Sequence, residues 1–198
     1  MLIGADVEVS GNSLASIVDG FGVFRSLAIK HLRAHGLYLP STDTDDKEPA
    51  IDTTRWYSMR SCLDAFAEIL RHIGPNVMFD IGLLVPKNAT FPLSINNIDA
   101  AIQAIDVAYH MNHRKGGKVM FNPRTGQKLE GIGHYGYRRV PDQDLIVSEC
   151  DNPYPCPLDM GVLTAVAKKF APRALVTHDE AGPCRTRRGS RCVYLITW

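Results

Sequence analysis

Apolar residues recur at helical spacing through the first half of the chain and alternate through much of the second. Residues 1–10 read as a short extended lead-in. Asn12 or Ser13 then caps a helix running to about His35, with Leu14, Ile17, Val18, Phe21, Leu27 and Leu32 facing a core. Gly20 and Gly22 weaken its middle, so it can be two helices, and Gly36 is its stop. Residues 40–54 are polar and acidic (Asp43, Asp45, Asp46, Glu48) and read as a solvated loop, because these carboxylates are not spaced like a calcium loop.

Leu63, Phe66, Leu70 and Ile73 define a second helix from Ser58, closed by Gly74-Pro75, and a short segment follows from Val77 to Leu84. Ile95, Ile98, Ile102, Ile105 and Tyr109 lie on one face of a third helix, with Ser94 as its expected cap and an end near His113-Arg114. After Gly116-Gly117 the period changes. Strands are expected at 118–121, over a long stretch 128–140, and at 145–149. Pro157 opens a last helix carrying Leu158, Val162, Leu163, Val166 and Phe170. Strands at 174–178 and 191–198 follow, the latter placing Cys192, Tyr194, Ile196 and Trp198 on one face. The expected fold class is α+β: a helical half (1–116) followed by an antiparallel β-β-β-α-β-β unit (117–198), in a single domain over 1–198.

A chain of 198 residues is long enough to bury a sizeable core. Its net charge of +1 gives no general drive toward nucleic acid or acidic membranes. No apolar run approaches the ~20 residues that span a bilayer, and the N-terminus lacks a signal-peptide pattern. A cytoplasmic location is expected, so the five cysteines read as free thiols or metal ligands rather than as a disulfide framework.

Four of those cysteines fall in the last third, as Cys150/Cys156 and Cys184/Cys192, with His178 between the pairs. The β-α-β-β order can gather Cys156, His178, Cys184 and Cys192, and three thiolates with one imidazole suit tetrahedral zinc. Cys150, Asp179 and Glu180 are substitute ligands. Two other readings stand beside zinc. The cysteines can be small buried core residues. Alternatively Cys156, at a helix N-terminus, can be a lowered-pKa nucleophile with His178 as its base.

Residues 118–198 resemble the 4-vinyl reductase family of small-molecule-binding domains. The resemblance rests on Asp159-Met160-Gly161-Val162-Leu163, Phe170, His178-Asp179-Glu180, Cys184, Gly189, Cys192 and Val193-Tyr194-Leu195. It implies a ligand-sensing domain. It also implies zinc on Cys156, Cys184 and Cys192, with an acidic ligand falling near His178 or Asp179. The haem-nitric-oxide domains share a similar helices-then-sheet plan. Of their Tyr-x-Ser-x-Arg element, Tyr135-Gly136-Tyr137-Arg138-Arg139 keeps the Tyr and Arg but not the Ser. It also stands one strand too early relative to the last helix, so haem is not carried over on that resemblance.

A second polar constellation joins His110, His113 and Arg114 to His134, Tyr135 and Tyr137. His110 and His113 share a helix face. The set can bind a carboxylate-bearing ligand through Arg, or hold a metal or haem iron through one His. Equally, His and Arg at a helix end can simply complement its dipole. Arg185, Arg187, Arg188 and Arg191 read as a solvated hairpin tip, too narrow for nucleic acid.

The expected function is therefore a small-molecule-binding sensor domain with a structural zinc site, more a regulator than an enzyme. Its expected partners are a small-molecule ligand and an effector domain or regulatory partner, with a homodimer as one possible arrangement. The alternative is a haem- or metal-dependent enzyme, or a haem-based gas sensor, using His110, His113 and His134.

Overall fold

The computed structural model describes residues 4–37, 51–88 and 93–198. The acidic loop expected at 40–54 therefore lies mostly outside the described residues. The chain opens on β1 (Val7–Ser10) and α1 (Gly11–Asp19), where the Ser10 hydroxyl accepts from the Ser13 amide and caps the helix. The helix expected from 12 to 35 is indeed two. A single 3-10 turn at Gly22–Phe24, with Gly22 at φ +50°, separates α1 from α2 (Arg25–Ala34). Next come β2 (Trp56–Ser58), α3 (Met59–Ile73) capped by Ser58, and α4 (Pro75–Leu84). Only a short segment was expected after Gly74; Pro75 at the first helical turn instead starts a full helix.

α5 (Ile98–Met111) buries Ile98, Ile102, Ile105 and Tyr109 of the expected stripe, while Ile95 precedes the helix; its cap is Asn97, whose side chain accepts from the Ala100 amide at 2.9 Å. Ser94 is not the cap. The helix stops at Met111, so His113 and Arg114 stand on β3 (His113–Lys115), which hairpins into β4 (Lys118–Val119). The long strand expected over 128–140 does not form. Gly131 and Gly133 take φ of +121° and +72°, and the segment pairs as strand only at isolated bridges and in β5 (Arg138–Arg139). β6 (Leu145–Cys150), α6 (Cys156–Phe170), β7 (Leu175–His178) and β8 (Cys192–Thr197) complete the chain.

The architecture is a mixed helix-and-sheet fold with two antiparallel four-stranded sheets, ordered β2-β1-β3-β4 and β5-β6-β8-β7. The first draws on both halves of the chain, a pairing that the helices-first reading did not contain. One contiguous core runs through both halves, from Leu14 and Phe66 to Leu163 and Tyr194. The halves meet where α4 crosses α6 at Gly82 and Gly161. A Cβ on Gly82 would stand 2.3 Å from the Leu158 carbonyl oxygen, and one on Gly161 would stand 2.2 Å from that of Phe79. Backbone lies directly on backbone there. Among the described residues, no helix is long and apolar enough to cross a membrane.

Candidate functional site

The described residues contain two convergent sets of possible metal ligands: Asp106, His110 and His134, and Cys156, Cys184 and Cys192.

The first is built on the last turns of α5. The His110 ring is fully buried, and its Nδ1 lies 2.8 Å from the Asp106 carbonyl oxygen, one turn back. That bond makes Nδ1 the protonated nitrogen and leaves the lone pair on Nε2. Nε2 is buried and has no hydrogen-bond partner. Burial holds the imidazole below its ordinary pKa and so neutral, against the opposing pull of Asp106. His134 stacks on it with centroids 4.9 Å apart and sits between two carboxylates. Its Nδ1 is 3.3 Å from Asp106, and its Nε2 is 3.0 Å from Glu130. Burial pushes the His134 pKa down, but the two carboxylates outweigh it and the pKa is raised. Burial likewise pushes Asp106 up; the Lys128 ammonium at 2.5 Å and the Tyr135 amide at 3.0 Å outweigh it and hold the carboxyl below its ordinary value.

The other residues expected around a ligand have different partners. His113 is fully satisfied: its Nδ1 lies 2.7 Å from the Tyr109 carbonyl oxygen, and the Tyr154 hydroxyl lies 3.0 Å from its Nε2. Arg114 faces Glu8 across the β1–β3 ladder in a bidentate pair at 2.5 and 2.8 Å, with its guanidinium 4.9 Å over the Trp56 ring. It serves the first sheet. The Tyr137 hydroxyl donates to Asp99 at 2.7 Å. Tyr135 is buried, and its hydroxyl donates to Asp159 at 2.6 Å. Arg139 reaches Asp144 at 3.2 Å and stacks over Trp198. A groove of about 260 Å³ lined by Leu83, Pro86, Lys87, Ala165, Val166 and Lys169 shares no residue with the histidine set.

The second set joins the start of α6 to the closing hairpin. The Cys156 and Cys192 sulfurs are 3.1 Å apart, and Cys184 lies 3.8 Å from each. His178 is not among them. In the β7–β8 register His178 pairs with Tyr194, two residues beyond Cys192, and its ring lies flat on the Tyr194 ring at 5.0 Å. Cys150, directly opposite Cys192 across β6–β8, instead turns its sulfur to the Ser148 hydroxyl at 3.6 Å. The hydrogen bond between Cys156 and Cys192 raises the pKa of the first thiol and lowers that of the second. Cys156 is therefore a poor nucleophile despite its helix N-terminus.

Arg185 stands against the Cys192 sulfur. Its backbone amide and Nε both point at the Cys192 sulfur, at 3.5 and 3.3 Å. Its Nη2 pairs with Asp159, and its Nη1 donates to Asn152 at 3.0 Å. Asp159 is fully buried on the first turn of α6. Burial pushes its carboxyl up to about 6, against Arg185, Tyr135 and Asn152. Asp106, Asp159, Asn152 and Arg185 were all missed as site residues. The spacing of Asp106 and His110, four apart on one helix, was the available signal. Asp159 looks in sequence like an ordinary first-turn acid, and Arg185 like one of four solvated arginines.

No family model matches the chain, and no curated protein matches it significantly. Solved structures do. An H-NOX protein from S. oneidensis, described in its Fe(II) ligation state, matches with a TM-score of 0.61 at 14% identity, covering 95% of each chain. A second structure of an S. oneidensis H-NOX protein, in the Fe(II)NO state, gives 0.59 at 12% identity, over 94% of this chain and 97% of that one. An oxygen-binding H-NOX domain related to soluble guanylate cyclases gives 0.57 at 13%, over 95% and 94%. The chain thus has the H-NOX fold over nearly its whole length. This overturns the resemblance to 4-vinyl reductase domains. The Cys-Gly-Cys hairpin behind it is a local pattern, whereas the likeness to H-NOX structures extends through both halves.

Proposed function

We propose that the chain is a small-molecule-sensing domain of the H-NOX kind that holds haem through His110. The observation that carries this is the buried, unpartnered Nε2 of His110, with Nδ1–H fixed on a backbone carbonyl. A neutral imidazole with its far nitrogen anchored and its near lone pair free is the donor an axial ligand requires. The H-NOX neighbours described in Fe(II), Fe(II)NO and oxygen-bound states support the cofactor. Bound haem would supply an iron at which a diatomic gas coordinates. The chain's own residues do the rest. Asp106 and His134 hold the His110 ring in place, and Tyr109 and Tyr135 pack edge to face beside it. The whole chain acts in this reading as one ligand-binding domain, and an effector domain or regulatory partner responds to the bound state.

Reconstitution with haem followed by gel filtration tests the reading. The wild type is expected to keep a stoichiometric Soret band. His110→Ala is expected to lose most of it, and His113→Gln to keep it. A wild-type chain without a Soret band after reconstitution would sink the proposal.

The thiolate set supports a second, separate reading as a structural zinc site on Cys156, Cys184 and Cys192. With Zn–S near 2.3 Å, a tetrahedral edge is about 3.8 Å. Two of the three sulfur separations have that value, and the third needs to open by less than an ångström. The expected fourth ligand, His178, lies outside the convergent three, although its buried Nε2 has no hydrogen-bond partner; the fourth position falls to His178, to Asp179 or Glu180, or to a solvent molecule. Metal analysis of the purified chain should find stoichiometric zinc, lost in Cys184→Ser; a metal-free wild type refolded with zinc would refute it.

A further inference from the structure

The two ligand sets are joined by one residue that reaches both. The backbone amide of Tyr135 donates to the Asp106 carboxylate at 3.0 Å, and its hydroxyl donates to the Asp159 carboxylate at 2.6 Å. On one side, Asp106 contacts His134 and carries His110 one turn further along α5. On the other, Asp159 pairs with Arg185, whose Nε–H points at the Cys192 sulfur at 3.3 Å. Asp106, Tyr135, Asp159 and Cys192 are each more than nine-tenths buried, and Arg185 and His134 are partly exposed at the two ends. Tyr135 is also tied directly to the thiolate strand, because it bridges Cys150, the residue opposite Cys192.

We propose that Tyr135 couples the thiolate cluster to the histidine site, so that a thiophilic metal ion on Cys156, Cys184 and Cys192 regulates ligand binding at His110. The proposal rests on both readings above. The geometry gives the mechanism. An ion seated among the three sulfurs must part Cys156 and Cys192, now 3.1 Å apart, toward a tetrahedral edge of about 3.8 Å, which moves the Cys192 sulfur against Arg185. Arg185 is tied to Asp159 and Asp159 to the Tyr135 hydroxyl, so the displacement reaches the Tyr135 amide that holds Asp106. Because linkage is reciprocal, a ligand at His110 alters metal affinity by the same factor that the metal alters the ligand's.

The test uses zinc ions and the full chain without haem. Zinc is added to metal-free protein while the imidazole nitrogens of His110 and His134 are followed by NMR. One equivalent of zinc is expected to shift both rings in the wild type and neither in Cys184→Ser, which removes a thiol and leaves the histidine set intact; a shift kept in Cys184→Ser means zinc on the histidines themselves and overturns the coupling. Tyr135→Phe keeps the ring and the fold, and is expected to bind zinc stoichiometrically while losing the shift. Tyr154→Phe removes a comparable buried hydroxyl, bonded to His113 and outside the relay, and is expected to keep it. Zinc bound with the histidine resonances unmoved overturns the coupling and leaves the zinc reading standing. A shift that survives in Tyr135→Phe overturns the role of Tyr135. Failure to bind zinc at all overturns both the coupling and the zinc reading, and metal analysis of the same sample identifies that case. The haem reading is judged separately by its Soret band.

Discussion

The histidine and thiolate sets contain similar numbers of candidate ligands but are held in opposite ways. The thiolate set is assembled from long-range pieces: Cys156 from α6, Cys184 from the loop after β7 and Cys192 from β8, clamped by one largely buried guanidinium. The histidine set is local. Asp106 and His110 belong to one helix, and the segment bearing Lys128, Glu130 and His134 folds back over them. In the first, buried charge is concentrated on a few atoms, and losing one partner strands another. In the second, the central ring is neutral and, Asp106 apart, the charges sit nearer the solvent. Sites of the first kind are rigid and costly to disturb, and sites of the second kind leave a donor free for a ligand.

The largest expected effect follows from that contrast. Asp159→Ala leaves the Arg185 guanidinium buried without its carboxylate and should cost about 3–5 kcal/mol, read from urea unfolding of the metal-free chain. A loss under about 1 kcal/mol would show that the thiolate side is no more tightly bound than the histidine side.

The next effect belongs to the neutral side and depends on pH. Burial lowers the pKa of His113 from 6.5 to about 4. The unfolded chain takes up this proton near 6.5 while the folded chain resists it until about 4, so between those values the unfolded state binds more protons. Stability contributed by His113 is therefore complete above about pH 6.5 and falls with acidification, by roughly 3 kcal/mol down to pH 4. His113→Gln should flatten that part of the stability–pH curve; an unchanged slope would place the titrating group elsewhere. The smallest effect is on the half-exposed rim. Tyr137→Phe removes one hydrogen bond to Asp99 and should cost about 1 kcal/mol or less, measured by thermal unfolding.

What could be read in the sequence divides along similar physical lines. Periodic apolar stripes place α3, α5, α6 and β8 correctly, because burial of one face is a local property of the chain. The cap of α5 was assigned to Ser94 instead of Asn97, since both residue types cap helices and only the backbone decides. The alternation over 128–140 looked like a strand, but Gly131 and Gly133 turn the chain into the sharp path that lets Tyr135 reach both carboxylates. Chemistry carried by cysteine and histidine stood out by rarity, and the three thiols did converge. The groups that orient them, Asp106, Asp159, Asn152 and Arg185, are common residues. Their role comes from burial and from partners far away in sequence, and no local pattern marks that. His178 illustrates the converse: its type suited a ligand, while strand register stacks its ring on Tyr194, outside the three thiols, and leaves its buried Nε2 without a hydrogen-bond partner.

The glycine crossing of α4 on α6 has a consequence for how this chain can evolve. At most helix contacts, a larger residue on one side is absorbed by a smaller one opposite, and sequences drift through such paired exchanges. At Gly82 and Gly161 the obstructing atoms are the carbonyl oxygens of Leu158 and Phe79, which no substitution can shrink. Neither position has a compensating partner, so descendants of this chain keep both glycines or separate the two helices. Wherever the rest of the sequence has diverged beyond recognition, this pair is the mark by which a relative with the same helix crossing can be found.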